Sequence, residues 1–163
     1  MDSAKKTSKD SRPPVATNRK ALRDYFVVQR IEAGIVLRGA EVKSIREGRF
    51  SLNEAFSRID KGQAVLCGFH IQPYEHARAD GYDPVRPKRL LLHRREIDKL
   101  VGETATKGMA LVPLKLYFHR GHVKVELGLC RGKHAGDKRE TIRRRTAERE
   151  AERAIASRTR RKE

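Results

Sequence analysis

The sequence contains no tryptophan and no long hydrophobic run. Its longest apolar stretch, around residues 110–114, is far below the roughly 20 residues that a membrane-spanning helix needs. The first 14 residues, MDSAKKTSKDSRPP, lack the apolar segment that a secretory signal peptide carries. These absences predict a cytoplasmic protein without a membrane partner.

Cysteine and aromatic residues are scarce. The two cysteines, Cys67 and Cys130, lie within apolar alternation, which favours two buried thiols; a single disulfide is the alternative. Aromatic residues make up only 6% of the chain, which argues against a broad platform for stacking the bases of a single strand. A nucleic-acid binder of this composition would rely on charge and shape, which suits structured RNA.

Positive charge is what the sequence has in excess. The formal net charge is +17, and residues 131–163 alone hold 13 Lys or Arg against 6 Asp or Glu. Such a field attracts polyanions, of which nucleic acids and anionic membranes are the commonest. The C-terminal segment has few large apolar residues to insert between lipids, so the expected partner is RNA or DNA.

The chain divides into a folded domain and two basic tails. Residues 1–17 are polar, basic and proline-containing, and they are predicted to be disordered because they offer little apolar surface to bury. Residues 18–130 read as the folded domain. Residues 131–163 form a basic C-terminal tail.

Strand signals dominate the folded domain. Apolar alternation predicts a strand pair or one long bent strand over residues 24–37, with a bulge or bend at Gly34. Turn residues at 60–62 and 120–121, each between alternating segments, predict two hairpins.

Helix signals are fewer and shorter. They lie in residues 39–48 and 93–102, where apolar residues recur three or four apart and glycines mark the ends. Residues 72–89 are predicted to form a long mobile loop. A sheet with so little helical cover is expected to avoid free edges, which predicts a small antiparallel β-barrel or sandwich.

Nothing in the sequence indicates catalysis. His70, Glu75 and His76 are close together, but their spacing differs from the helical His-Glu-x-x-His pattern, and Pro73 would interrupt a helix. A glycine-rich phosphate loop, a nucleophile elbow and paired zinc-binding cysteines are all missing. A non-enzymatic protein without metal or cofactor is expected; a metal-dependent RNA-processing enzyme is the alternative.

Motifs in collinear order between residues 18 and 142 resemble the family of the SsrA-binding protein, also called small protein B. The most specific are GAEVKSIR at 39–46 and KRLLLHRREIDKL at 88–100, followed by VKVELGLCRGK at 123–133 and DKRETI at 137–142. The resemblance implies a closed β-barrel of the oligonucleotide-binding (OB) type with about three short helices. It also implies a monomeric, non-enzymatic RNA-binding protein of bacterial trans-translation.

The resemblance implies specific partners as well. The folded domain would bind the tRNA-like domain of transfer-messenger RNA (tmRNA) and support its aminoacylation, with elongation factor Tu acting through the RNA. The complex would enter stalled ribosomes, with the tail near the decoding centre of the small subunit and inside the empty mRNA channel. A general ribosome-associated RNA-binding protein or RNA chaperone is the alternative.

Several RNA-binding positions follow from the resemblance. The family's motif places Asn18, Glu32 and Leu91 on the RNA-binding surface. Glu32 would accept hydrogen bonds from base amino groups or sugar hydroxyls, or would pair with a nearby cation such as Arg19 or Lys43. Leu91 would contact RNA or belong to the core. Charge and position predict phosphate contacts at Arg19, Lys20, Lys43, Arg46, Lys88 and Arg89.

The tail carries further matches to the family. Just before the Asp-Lys-Arg motif the family often has a histidine or aromatic residue able to stack on a base. This sequence has Gly136 there, so the stacking contact is lost or has moved to His134. The predicted ribosome-engaging residues are Gly132, Lys133, His134, Asp137, Lys138 and Arg139.

The end of the tail has an unfavourable charge pattern for an isolated helix. Glu148 and Glu152, and likewise Arg149 and Arg153, are like-charge pairs four residues apart. Short charged helices are marginal in water. The tail is therefore predicted to be disordered when free and helical on the ribosome.

Overall fold

A computed structural model describes residues 16–78, 80–106 and 108–160, and only the backbone of residues 158–160. In these ranges the helices are α1 (Arg19–Asp24), α2 (Gly39–Arg46), α3 (Arg94–Thr104) and α4 (Ala135–Arg160). The strands are β1 (Ala16–Thr17), β2 (Tyr25–Ile35), β3 (Phe50–Ser51), β4 (Phe56–Asp60), β5 (Gln63–Cys67), β6 (His70–Ile71), β7 (Lys88–Leu91), β8 (Met109–His119) and β9 (His122–Gly132).

The strands pair in antiparallel fashion. Seven form one sheet in the order β1-β8-β4-β5-β7-β2-β9, β8 also pairs with β9, and β3 pairs with β6. The predicted hairpins are both present: Asp60 pairs with Gln63, and His119 pairs with His122. The prediction of a mainly β, antiparallel fold is confirmed. The described residues form four helices rather than about three, and α4, with 26 residues, is not short.

Strand β2 is one strand of 11 residues whose irregularity is not where the sequence placed it. The register with β9 shifts between Val27 and Gln29, whereas Gly34 is regularly paired with Leu91 on β7 and Lys124 on β9. A Cβ atom on Gly34 would lie 3.2 Å from the Cβ of Leu91. The glycine therefore permits close approach of β7 and is not the site of a bulge.

Apolar side chains are buried on both faces of the β8–β9 hairpin. The main cluster includes Ile45 of α2 and Leu100 of α3, which bring two helices onto the core. A smaller cluster joins Ala21 of α1 to Leu114 and Cys130. Helix α1 was not predicted, because six residues are too few to display a helical period and its position depends on this packing.

Both cysteines are buried free thiols, as predicted. Burial raises the pKa of the Cys130 thiol to about 11, so this group stays protonated at neutral pH. Cys130 and Cys67 therefore serve as small apolar core residues.

The boundaries of the folded domain differ from those predicted at both ends. Ala16 and Thr17 form β1 and pair with β8, whereas residues 1–15 of the predicted disordered arm lie outside the described range. Strand β9 continues to Gly132, two residues into the predicted tail. Helix α4 occupies most of the remaining tail; its predicted disorder in the free protein stays a prediction.

The connection before β7 is tied to the sheet at several points. The Tyr82 hydroxyl donates to the carbonyl of Ile71 at 2.9 Å, and the amide of Ile71 donates to the carbonyl of Pro84 at 2.9 Å. The connection also ends earlier than predicted, because β7 begins at Lys88.

Gly68, in the turn between β5 and β6, offers a stability test. Its φ is +67°, and an added Cβ would lie 2.4 Å from the carbonyl oxygen of Glu54. Gly68→Ala is expected to lower the free energy of unfolding by about 2–4 kcal/mol, from backbone strain and overpacking together. Urea denaturation measures the loss.

Gly102→Ala is the matched control. Gly102 lies within α3, where an added Cβ meets no atom within 4 Å. Alanine there is expected to raise the unfolding free energy by up to about 1 kcal/mol. A change at Gly68 that is as small as this, or that is stabilising, would contradict the assigned role of Gly68.

Candidate nucleic-acid interface

An open groove of about 730 Å³ lies where β2, β7, β9 and the start of α3 meet. Three of the predicted RNA-binding residues line it: Glu32, Arg89 and Leu91. Two further cations, Arg30 and Lys124, line the same groove. The fold thus brings three cations, two carboxylates (Glu32 and Glu96) and apolar residues that include Leu91 to a single surface.

Strand alternation explains why these side chains reach the groove. Arg30 and Glu32 are two residues apart on β2, and both lie on its exposed face. On β7 the pattern is buried, exposed, buried, exposed, which places Arg89 and Leu91 outward. Lys124 was missed by the sequence analysis because its position depends on the register of β9 against Gly34.

Leu91 is an exposed hydrophobic residue rather than a core residue. Its side chain is 52% exposed in spite of its close approach to Gly34. The core alternative for this position is therefore wrong. An apolar side chain in a basic groove offers van der Waals contact to a sugar or base without repelling the backbone phosphates.

Glu32 has a different partner from those considered in the sequence analysis. Its Oε2 accepts a hydrogen bond from the hydroxyl of Tyr117 on β8. Arg30 lies on the same strand and could have neutralised Glu32, but its guanidinium forms a salt bridge with Glu126 at 2.5 Å. Burial, reinforced by the bond to Glu32, raises the pKa of Tyr117 well above its usual value.

Lys88 does not reach the surface. It is fully buried, and its ammonium group donates to the carbonyl of Phe69 at 2.8 Å and lies 3.9 Å from Glu41. Desolvation lowers the pKa of Lys88, and the neighbouring Glu41 opposes that shift. The predicted phosphate contact at Lys88 is incompatible with this position; Lys88 supports the groove from inside.

The buried carboxylate of Glu41 links three segments around Lys88. It accepts from Arg86 at 2.6 Å and from the backbone amide of Arg38 at 2.8 Å. Helix α2, the connection before β7 and β7 itself are therefore held together beneath Arg89. Removing one of the charged side chains of this group would leave an unpaired charge in the interior.

Asn18 is also an interior residue. Its Oδ1 caps α1 by accepting from the amide of Ala21 at 3.0 Å, and its Nδ2 donates to the carbonyls of Pro113 at 3.0 Å and Leu52 at 3.3 Å. The whole residue is only 2% exposed. Asn18 therefore positions α1 and does not present its amide group to RNA.

The other predicted phosphate contacts lie outside the groove lining. Arg19 and Lys20 are exposed on α1, and Lys20 pairs with Glu54 at 2.5 Å. Lys43 and Arg46 are exposed on α2. Their cationic groups lie 5.3 Å from the ring centre of Tyr74 and 5.5 Å from that of Phe118, respectively.

The first turns of α4 are attached to α1 and the start of β2. Lys133 donates to the carbonyl of Leu22 at 3.4 Å and to the Thr141 hydroxyl at 3.2 Å, and its ammonium lies 4.8 Å from the Phe26 ring centre. Lys138 lies 3.7 Å from Asp24. We call residues 132–145 of this attached segment the tail root.

Charge and burial shift the pKa values of Lys133 in the tail root and of Asp24, which lies next to it. The hydrogen bond from Arg23 is the main reason that the pKa of Asp24 is lowered, and Lys138 adds to the effect. Desolvation, followed by the repulsion of Arg145 and Arg144, lowers the pKa of Lys133. The root therefore concentrates cations against the folded domain.

The remaining predicted tail residues have distinct positions. His134 is exposed and, with Gly132 and Asp137, lines an open cavity of about 610 Å³. The carboxylate of Asp137 accepts from the amide of His134 at 3.2 Å, which caps the start of α4. Arg139 is exposed on the helix surface.

Comparison with known protein families identifies the family of this chain, which has a basic groove and a basic helical tail. A model of the SmpB protein family matches residues 15–157. The chain belongs to the SmpB family. The resemblance inferred from the motifs is thereby confirmed.

Two SsrA-binding proteins are similar to this chain along nearly their whole length. The SsrA-binding protein of Geobacillus kaustophilus is 51% identical over 144 residues, which cover 88% of this chain and 93% of that protein. The SsrA-binding protein of Acetivibrio thermocellus is 51% identical over 148 residues, 91% of this chain and 96% of that protein. A solved structure of tmRNA and SmpB at the centre of the bacterial ribosome matches with a TM-score of 0.65 and 45% identity, over 81% of this chain and 96% of that chain.

Two further observations concern metal binding and membrane insertion. Among the side chains that the structure describes, no group of three or more His, Cys, Asp or Glu residues is placed to hold a metal ion. In the same part of the chain, no helix combines the length and the apolar character needed to cross a membrane.

Proposed function

We propose that this protein binds the tRNA-like domain of tmRNA through its groove and delivers that RNA to stalled ribosomes for trans-translation. The observation that carries the proposal is the convergence of Glu32, Arg89 and Leu91 in one groove with Arg30 and Lys124. The cations would neutralise phosphates, while the carboxylate and the leucine would contact sugars or bases. Family membership and the net charge of +17 support it.

We also propose that the sheet closes into an OB-type barrel. The pairings run from β8 through β4, β5, β7, β2 and β9 and return to β8, which supports closure. Helices α2 and α3 contribute Ile45 and Leu100 to the enclosed core. A closed barrel gives the strands a fixed register, and the groove depends on that register.

The proposed role of the tail is to occupy the empty mRNA channel beside the decoding centre. Its cations suit a channel walled by RNA, and α4 gives them a regular helical arrangement. The root ties the beginning of α4 to α1, so the segment beyond residue 145 is the part that would order on the ribosome. His134, an exposed residue of the tail root, is our candidate for the stacking contact that Gly136 lacks.

The proposal includes a cytoplasmic, non-enzymatic protein without a cofactor. In the proposed mechanism the protein positions an RNA, so it requires binding surfaces and no reacting group. The alternative of a general RNA chaperone makes a different prediction, since a chaperone would bind bulk tRNA as well as tmRNA. A competition assay at fixed salt, with tmRNA against bulk tRNA, separates the two functions.

Truncation tests whether specific binding resides in the folded domain. A chain ending after Thr146 keeps the root and is expected to bind tmRNA nearly as tightly as the full chain, because the groove residues all precede Arg131. A gel shift measures the affinity. A loss of more than about 100-fold, or roughly 2.7 kcal/mol, would reject this assignment.

A second truncation isolates the root itself. A chain ending after Gly132 loses the contacts of Lys133, Thr141 and Arg145 with each other and with Leu22. We expect the same tmRNA affinity and a small drop in the melting temperature. If only this shorter chain lost binding, the root, and not the distal tail, would be part of the RNA-binding surface.

A further inference from the structure

A tyrosine outside the groove donates a hydrogen bond to a carboxylate inside it. Glu32 is on β2, Tyr117 is on β8, and β9 lies between them, yet the Tyr117 hydroxyl donates directly to Oε2 of Glu32. Glu32 lines the groove and Tyr117 does not. The bond therefore crosses the middle strand β9.

The middle strand carries one carboxylate and one cation beside this bond, Glu126 and Lys124. Opposite Glu32 on β9 stands Glu126, which would repel it but is paired with Arg30 at 2.5 Å. Opposite Tyr117 stands Lys124, which also lies opposite Gly34 and lines the groove. Two diagonal pairs, Arg30 with Glu126 and Tyr117 with Glu32, thus order the outer face of the three strands.

We propose that Tyr117 is a positioning residue that orients the Glu32 carboxylate to accept a hydrogen bond from an N–H or O–H donor of the bound RNA. The inference rests on the proposed function and deepens it. It assigns a role to a residue that does not itself touch the RNA. The donor is a base amino group or a ribose 2′-hydroxyl, since these are the groups of RNA that a carboxylate attracts.

The chemistry of the pair supports selectivity. An ionised carboxylate only accepts hydrogen bonds, so one oxygen held by Tyr117 leaves the other facing a ligand. The Tyr117 hydroxyl is protonated at neutral pH and therefore acts as a donor, and burial raises its pKa further. A fixed carboxylate would favour a nucleotide with a donor at that place and repel a phosphate.

The first test is a double-mutant cycle on tmRNA affinity. Tyr117→Phe keeps the ring and removes the hydroxyl, and it is expected to weaken binding about tenfold in the otherwise unchanged protein. In a Glu32→Ala background the same change is expected to have no effect, because Tyr117 acts only through Glu32. Equal losses in both backgrounds, or no loss in either, would overturn the proposal.

Tyr82→Phe is the matched control. Its hydroxyl donates to the carbonyl of Ile71, away from the groove lining, so its loss is expected to affect melting and not tmRNA affinity. Melting curves of both tyrosine variants accompany the binding curves. A tmRNA affinity that fell equally in the two variants would make the Tyr117 effect a general structural one and contradict the proposal.

Interference mapping identifies the donor on the RNA. Pools of tmRNA carrying scattered inosine, purine riboside or zebularine, which lack the amino groups of guanine, adenine and cytosine respectively, or scattered 2′-deoxynucleotides are partitioned by binding to the full chain. One position is expected to interfere with the unchanged protein and to cease interfering with Glu32→Ala and Tyr117→Phe. Interference by a base analogue identifies the amino group that the analogue lacks, and deoxy interference identifies a hydroxyl.

The outcomes distinguish this inference from the proposed function. If the unchanged protein fails to prefer tmRNA over bulk tRNA, the proposed function fails. If it prefers tmRNA but Tyr117→Phe changes neither the affinity nor any interference position, the function stands and the positioning role of Tyr117 is wrong.

Discussion

Ala151→Pro is expected to reduce peptidyl transfer to the alanine of tmRNA on the order of 100-fold on a ribosome that lacks downstream mRNA, while tmRNA binding stays unchanged. Position 151 lies in the interior of α4. Proline there removes a backbone hydrogen bond and clashes with the preceding turn, at a cost of about 3 kcal/mol. If the bound tail must be helical, accommodation should fall on the order of 100-fold.

The measurement is a reconstituted peptidyl-transfer assay with a gel-shift control for tmRNA binding. Ala135→Pro is the matched variant, because Ala135 is the first residue of α4 and proline is tolerated at that position of a helix. It should retain activity. Full activity of Ala151→Pro would mean that the distal tail acts without a helix and serves at most as a source of charge.

The double variant Arg89→Glu, Lys124→Glu is expected to lose specific tmRNA binding on the order of 100-fold at physiological salt. Both side chains line the groove, and their reversal replaces two phosphate-neutralising cations with repelling carboxylates. The magnitude of the slope of log affinity against log salt should fall by about 1.4 to 1.8 as well, since each of the two lost phosphate contacts removes about 0.7 to 0.9.

The control for this variant keeps the change in net charge and moves it away from the groove. Arg149→Glu with Arg153→Glu reverses two cations of α4 beyond the tail root. Specific tmRNA binding should change little, because the tail is assigned to the ribosome. If both double variants lost affinity equally, the effect would be one of overall charge, and the groove would not be the interface.

The fold was readable from the sequence where local patterns were strong. The two hairpins were predicted because alternating segments flank turn residues, and α2 and α3 because apolar residues recur at helical spacing between glycines. Helix α1 was missed because its stability comes from the Asn18 cap and from the contact of Ala21 with Leu114 and Cys130. The cap is local, but the contacts of Ala21 with Leu114 and Cys130 connect residues about 100 positions apart, so no local window contains them.

The candidate site was readable only in part, for a similar reason. The charge of a side chain is visible in the sequence, but its exposure is not. Lys88 and Arg89 are adjacent cations that looked equivalent, yet strand alternation buries one and exposes the other. Leu91 looked equally suited to core or surface, and the pairing of β7 with Gly34 places it outward.

By itself the sequence determined the family, the antiparallel β class and the strongly basic character of the chain. Those properties follow from composition, periodicity and motifs, which are local. Only the tertiary structure decided that Glu32 pairs with Tyr117, that Lys124 joins the groove, and that Asn18 and Lys88 work from the interior. The physical reason is that burial and partnership depend on strand register, and register is set by the packing of distant segments around one core.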